Sequence, residues 1–538
     1  MRSDVLPGRV RGRSPAACRA AVLIVGVAGV LAASGLQAQP VASPPTPPTP
    51  PTAPAAAQVA VLQPNTVAQL LVTRSLELAY ARDSASIASA LFRAEAALYE
   101  PVVFGAIRRT LTDRQRTSQE ILDDALKNKG LFLKLEEQGN TLEVGVRQKS
   151  PTGGDVSATV RTRTLEGNDP ARYPPEIRAS SALVLAFRQP LMRGRGIQYT
   201  ETDKRVAELE AQVAAWQFRQ QLQKVVGEGL SLYWQAWFAA ESRKLRDELV
   251  RTSNAQLDDA RQRVRSGRMA ERAVAEVERL RLDRLSEAGK AAQAHDDARV
   301  RLLSALNLDA SQLDGMTLQP VDAGWTPQAV ERIAERAVVQ WPAYQIARLR
   351  REQGLLRLAF AREQAKPAVD LQFSYTSSGS EPKVSSSLST VSRGNYPEWS
   401  LGLNMELGAF GGRKTQAQLL AQQLRVSQSD AEIQAITSAF ANDLSARLWA
   451  LTSALRELEL RRSELAMRRQ FLEDERRRLA AGVALPPSLM LAEQDLIESQ
   501  IRTLEATGRV ETARLSLALA DGTLLDAHGV ETSMPVAP

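Results

Sequence analysis

The sequence predicts a mixed α+β membrane protein with an internal strand–strand–helix–helix duplication, in which several copies join their strands into a barrel and their long helices into a coiled-coil tunnel. Three observations carry this fold class. A leucine repeat runs through one uninterrupted helix, pairs of strands alternate apolar and polar residues, and the two halves of the chain repeat one plan at nearly the same spacing.

The helix is expected from about Gly411 to Ala480. Leu444, Leu451, Leu458, Leu465, Leu472 and Leu479 recur every seventh residue, with Leu448 and Leu455 closing the 4–3 steps. A seven-residue apolar repeat stays on one side of a helix only if the helix supercoils against partners. At ~1.5 Å per residue the rod is ~100 Å long, far more than a globular core requires.

The strands are expected at 368–376 and 398–407. Val369, Leu371, Phe373 and Tyr375 alternate with Asp370, Gln372, Ser374 and Thr376; Trp399, Leu401, Leu403, Met405 and Leu407 alternate with Glu398, Ser400, Gly402, Asn404 and Glu406. Strict period two gives each strand one apolar and one polar face. A sheet packed on a soluble core has the same pattern, but this chain offers mainly rods to cover it.

The first half repeats the plan. A strand ends at Gln189-Pro190-Leu191, a helix runs from about Gln198 to Arg265, turns at Ser266-Gly267, and returns to about Leu308. In the second half the helix turns at Ala481-Gly482 and returns from Pro486 to about Ala520. Leu191 to Gly267 spans 76 residues and Leu407 to Gly482 spans 75; the return arms reach 39 and 38 residues beyond each glycine. Such close spacing marks a duplicated unit. Two shorter helices are expected near Thr66–Arg82 and Ser84–Tyr99. One region is asymmetric: a strand starts at Pro101–Phe104, its mate waits until Ser181, and 112–180 intervene as an insertion. A polar helix is expected over Thr112–Gln138. A hairpin follows, rising through Leu142, Val144 and Val146, turning at Pro151–Gly154 and returning through Val156, Ala158 and Val160. The residues leave open whether this hairpin is a loop or adds strands to the four clearest ones.

Residues 1–38 read as a signal peptide: basic residues, the apolar run Ala20–Leu31, and Leu36-Gln37-Ala38 before a cleavage point. The run is short and ends in small residues, which favours cleavage over an anchor helix. Residues 39–63 form a Pro-rich linker, 64–320 the first repeat, 321–525 the second, and 526–538 a flexible tail. The formal charge of +7 falls to +3 without residues 1–38, too little to argue for nucleic acid. The single cysteine, Cys18, lies in the signal region, so disulfides and thiol metal sites are not expected.

Beyond residue 38 there is no apolar run long enough for a transmembrane helix, whereas nine-residue amphipathic strands are the unit of an outer-membrane barrel. Backbone groups in a bilayer must be paired, so the strands must close a ring, and four cannot enclose a channel. Several chains must therefore contribute. The duplicated strand–helix–tip–helix plan resembles the TolC-like outer-membrane efflux family (the outer membrane factors), as do Gln189-Pro190-Leu191, Tyr233-Trp234 and the turns Arg265-Ser266-Gly267 and Ala480-Ala481-Gly482, over about residues 64–525. The resemblance implies a homotrimer in outer-membrane lipid, a twelve-stranded barrel and a long periplasmic helical tunnel. It also implies an exit duct serving a periplasmic adaptor and an inner-membrane RND- or ABC-type transporter, with no catalysis and no cofactor. A periplasmic coiled-coil scaffold or adaptor that never spans a membrane is the alternative.

By the same resemblance the adaptor docks at the two helix tips, Ser266, Gly267, Arg268 and Met269 with Ala481, Gly482, Val483, Ala484 and Leu485. Glycine permits the positive φ that each reversal needs, and apolar Met269, Val483 and Leu485 are expected as an exposed docking patch. Arg263, Arg272, Glu473, Arg476, Arg477 and Arg478 are the candidate aperture gate, with Asp474 and Glu475 as further carboxylate partners. Just beyond the first tip, where some family members carry a hydroxyl and a carboxylate, the sequence has Arg272 and Ala273. Tyr233, Trp234, Trp237 and Phe238 are expected to pack between helices, and Trp399 and Tyr396 to lie near a lipid–water boundary. His295 and His528 stand alone, and no metal site is expected.

Overall fold

The computed structural model describes residues 61–126, 133–168, 174–267, 269–309, 317–319, 338, 340–406, 412–484 and 486–530. The signal peptide, nearly all of the Pro-rich linker, Arg268, Leu407, Leu485 and the end of the tail lie outside these residues.

In chain order the elements are β1 (Val61–Leu62), α1 (Pro64–Arg74), α2 (Leu76–Ala96), β2 (Val102–Gln115), α3 (Ser118–Leu126), β3 (Lys134–Lys149), β4 (Asp155–Gly167) and β5 (Ala179–Pro190). Then come α4 (Ile197–Thr200), α5 (Thr202–Arg265), α6 (Glu271–Leu306), β6 (Thr317–Leu318), α7 (Pro342–Gln364), β7 (Ala368–Glu381) and α8 (Val384–Arg393). β8 (Pro397–Glu406), α9 (Arg413–Ala480), α10 (Pro486–Asp521) and α11 (Leu524–Ala527) complete the fold.

The two long hairpins, α5–α6 and α9–α10, reverse at Gly267 (φ 68°) and Gly482 (φ 77°). Their arms match in length, 64 and 36 residues against 68 and 36. The leucine seam of α9 packs on the chain's own return arm: Leu444, Leu451 and Leu458 are buried with Ala506, Val510 and Leu517 of α10. Leu472 is buried as well, and Leu465 and Leu479 are half-buried. The other side of α9 leaves Leu420, Leu424, Trp449 and Leu460 exposed.

Two helix expectations need correction. The break between α1 and α2 falls at Ser75, whose side chain accepts the Leu78 N–H (3.4 Å) as the cap of α2, and not near residue 83. α7 was not anticipated at all. It opens with Pro342 after Trp341 and packs Ile346 and Leu349 against Leu209 and Val213 of α5. In the second repeat it occupies the place of α2 in the first, each helix leading into a strand.

The main sheet has six strands in the order β2-β3-β4-β5-β7-β8, and every neighbouring pair is antiparallel, so the hairpin left open by the sequence adds strands to the four clearest ones. The inserted hairpin is therefore part of the sheet. The expected helix over 112–138 shrinks to α3, because β2 runs on to Gln115 and β3 begins at Lys134, pairing Gln115 with Lys134 and Thr112 with Glu137. Polar residues there still alternate about the strand; they only lack the apolar partners that made the lower part legible.

Register places most of the large apolar residues on one side, with Val102, Phe104 and Val184 among those on the other. One row crosses six strands as Val103–Val146–Ala158–Leu185–Tyr375–Trp399. The opposite face carries cross-strand ion pairs, Glu143–Arg161 (3.1 Å), Glu137–Arg163 (3.6 Å) and Asp370–Arg188 (2.6 Å). On the apolar side, at the end remote from the long helices, α8 lies across β5 and β7. Ser387 bonds Ser181 (2.7 Å), and Ser377 donates to the Val391 carbonyl (2.9 Å). Gly379 is required beneath α8, since a Cβ there would stand 2.7 Å from the Ser387 carbonyl oxygen. Among the described residues no helix is long and apolar enough to cross a membrane.

At the other end of the sheet the helices share one core. Leu62, Val67 and Leu71 meet Val226, Leu230 and Tyr233 of α5, Leu302 and Leu306 of α6, and Leu524 and Leu525 of α11. Tyr233 donates from its hydroxyl to the carbonyls of Leu62 (3.1 Å) and Gln319 (2.7 Å), fastening the two-residue parallel ladder β1–β6 to α5. Trp234 packs edge-on against both Tyr233 and Trp237. The cluster is packing, as its residue types predict.

Candidate functional site at the helix tips

Both tips are made by the same local chemistry. Each outgoing helix ends in basic residues, Arg263 and Arg265 on α5 and Arg477 and Arg478 on α9, where cations complement the helix dipole. The glycine then takes a left-handed turn, and the exposed carbonyls are closed by the loop: Gly267 N–H donates to Val264 (2.9 Å), and Val483 N–H donates to Arg478 (3.0 Å). Ser266, Gly267, Ala481 and Gly482 are exposed, and Val483 is 70% exposed. Met269 is not the exposed residue expected. It folds back on a small core of Leu257, Ala260, Val277, Leu280 and Met490, because it stands next to the first turn of α6 and can reach the gap between arms. Ala484 is half-buried.

The candidate gate residues divide. Arg263 pairs with Asp259 one turn back on its own helix (2.8 Å), and Arg477 does the same with Asp474 (2.5 Å). Arg272 and Glu473 lie on exposed faces. Arg476 reaches across from α9 to Glu493 of α10 (3.9 Å), and Arg478 pairs with Glu475 (3.2 Å).

Behind these arginines the structure assembles a buried polar belt. Glu475 is only 5% exposed and accepts a bond from Ser488 of α10 (2.5 Å). Glu493, also buried, accepts from Gln256 of α5 (2.5 Å). Arg284 of α6, 4% exposed, donates to the Met490 carbonyl and to Gln256 (3.5 Å), while its Nε–H has no acceptor among the described residues. Burial pulls the Arg284 guanidinium below the ordinary arginine value, and the Glu493 carboxylate opposes that shift. The belt thus joins all four arms of the two hairpins just above the tips. Glu475 was detectable in the sequence: it stands three residues after Leu472 and four before Leu479, on the seam itself. Arg284, Gln256 and Glu493 carry no such signal, since their burial depends on how the two hairpins meet. Among the described residues no cluster of His, Cys, Asp and Glu could hold a metal ion.

Residues 334–523 match the family described as outer membrane efflux protein. No curated protein matches the chain. Among solved structures, the CmeC outer membrane channel of Campylobacter jejuni aligns at 12% identity and TM-score 0.62, covering 86% of this chain and 86% of that one. The outer membrane protein VceC of Vibrio cholerae aligns at 13% identity and TM-score 0.60, covering 85% and 96%. The open-state MtrE outer membrane channel of Neisseria gonorrhoeae aligns at 13% identity and TM-score 0.57, covering 86% and 89%. At such identity these likenesses show the fold.

A mostly one-sided apolar sheet carried on long helical hairpins, together with the matched second repeat, gives this chain the fold of the outer-membrane channels it aligns with. Its second repeat matches the outer membrane efflux protein family, and the fold resembles that of the TolC-like channels.

Proposed function

We propose that the chain is the passive exit duct of a tripartite efflux or type I secretion system. Three copies close their sheets into one barrel in the outer membrane and their helical hairpins into one periplasmic tunnel. A periplasmic adaptor engages the tips at Ser266–Gly267 and Ala481–Val483, and an inner-membrane RND- or ABC-type transporter supplies the energy. The observation that carries this reading is the apolar row crossing all six strands above a polar, ion-paired face. A bilayer tolerates such a sheet only with its edges paired. A periplasmic scaffold gives no reason for that row.

In this reading the buried belt keeps the arms together when the duct is shut, and the exposed arginines surround the aperture. The test is fractionation with crosslinking: the protein should extract from outer membranes with detergent as a trimer, and its deletion should raise intracellular accumulation of exported compounds. A freely soluble periplasmic monomer rejects the duct.

A further inference from the structure

The feature that takes this chain's sheet beyond the four clearest strands is the hairpin β3–β4, and it is built into the sheet on both sides. β3 pairs with β2 from Val102↔Arg147 to Gln115↔Lys134, and β4 pairs with β5 from Asp155↔Arg188 to Thr164↔Ala179. Its turn is fixed at the helix end of the sheet. Thr152 donates to the Gln189 side chain (2.8 Å), and its carbonyl accepts the Gly196 N–H (2.9 Å). Gly153 (φ 89°) sits so close to Gly194 that a Cβ would meet that carbonyl oxygen at 2.2 Å.

The outer strands, β2 and β8, are open edges with exposed apolar residues, Val103, Ile107 and Leu111 on one and Trp399, Leu401 and Leu403 on the other. An even number of antiparallel strands makes β8 of one copy antiparallel to β2 of the next. Setting Leu401 opposite Ile107 keeps every β8 residue within Val102–Leu111 and sets Met405 opposite Val103 on the apolar face. Any shift by an odd number of residues would turn one strand's apolar side inward. Charge is complementary: β2 carries Arg108, Arg109 and Arg114 with one Asp113, and β8 carries Glu398 and Glu406.

We infer that this hairpin lies in the barrel wall, so that three copies close an eighteen-stranded pore instead of a twelve-stranded one. The inference rests on the three-copy duct proposed above. With strands ~4.8 Å apart and tilted ~40°, eighteen give a backbone diameter of about 36 Å and twelve about 24 Å. Barrels of 16–18 strands hold an aqueous channel, and here the inner face is lined by Glu143–Arg161 and Glu137–Arg163. The membrane section is therefore a wide, wetted outlet for hydrated cargo, and sieving by size falls to the helix tips.

Two measurements on the full-length protein test this. Electron cryomicroscopy of trimers in lipid nanodiscs should show eighteen strands. Trimers with twelve, the hairpin lying outside the wall, overturn the inference and leave the duct intact, whereas particles that are not membrane trimers overturn the duct itself. The double variant Val103→Cys/Leu185→Cys reads the same point without an image. Those residues are three strands apart here, ~14 Å, and meet only if the hairpin leaves the ring. No disulfide between them is expected in membrane trimers; an efficient one overturns the proposal.

Discussion

Glu493 is the residue on which three of the four arms near the tips depend, since it accepts from Gln256 on α5, sits on α10 and faces Arg476 on α9. Substituting Glu493→Leu should loosen the tips and raise basal conductance in planar bilayers. Arg476→Gln, which removes only a long pair made from the exposed end of an arginine, should change conductance less; equal effects would contradict the buried belt as the lock. A second residue-scale test concerns pH. Glu120 accepts both Arg114 Nη groups (2.9 and 2.6 Å) and the Thr117 N–H (2.9 Å), which together hold its carboxyl at about 2 instead of 4.5. A depressed folded value means the contribution is complete above pH 4.5 and is lost as the pH falls toward 2. Amides of 118–126, corrected for intrinsic exchange, should therefore lose protection across that window, and Glu120→Gln should remove the dependence. Of the site residues, the turn glycines and Glu475 were legible because their roles follow from local geometry or the heptad. Met269 was misread because an apolar residue beside a turn can point outward or fold under it, and its neighbours in space are not its neighbours in sequence.

At the scale of elements, periodicity located both long hairpins and β8 nearly to their ends, and found the start of β7 but not its last five residues, where the apolar alternation stops at Tyr375. It failed on α7, whose half-buried faces between α5 and α9 give no clean stripe, and on the upper part of β2, where Leu111 is the one large apolar residue among polar ones. The seam predicts its own energetics. Leu451→Ala should destabilise the α9–α10 pair by ~2–5 kcal/mol, the usual cost of emptying a buried leucine site. Leu458→Asp should prevent assembly, read as loss of the trimer on crosslinking. Tyr233→Phe tests the fastening of β1–β6: two carbonyls lose their shared donor, at a cost of ~1–3 kcal/mol. Thermal unfolding of detergent-solubilised protein measures it, and an unchanged midpoint would mean the ladder holds without the hydroxyl.

For the whole molecule, the oligomeric barrel reading rests on the one-sided strands, since α10 of the same chain already covers the leucine seam. The number of strands did not follow from them, because nothing in a hairpin's own sequence says whether its neighbours accept it. Docking is tested at Val483, which is exposed and touches no core. Val483→Asp should leave trimers and stability unchanged while reducing export in cells and adaptor crosslinking; normal export would place the docking surface elsewhere.

The ladder β1–β6 and its tyrosine have a further effect on how the duct can move. They belong to a large core that draws in α1, α5, α6, α10 and α11, whereas the tips are held by five buried apolar residues and the polar belt. Resistance to local opening therefore falls along each hairpin from root to tip. In the duct proposed above, the hairpins behave like reeds clamped at one end: a partner pushing at the free end would displace the tips and leave the clamped roots in place.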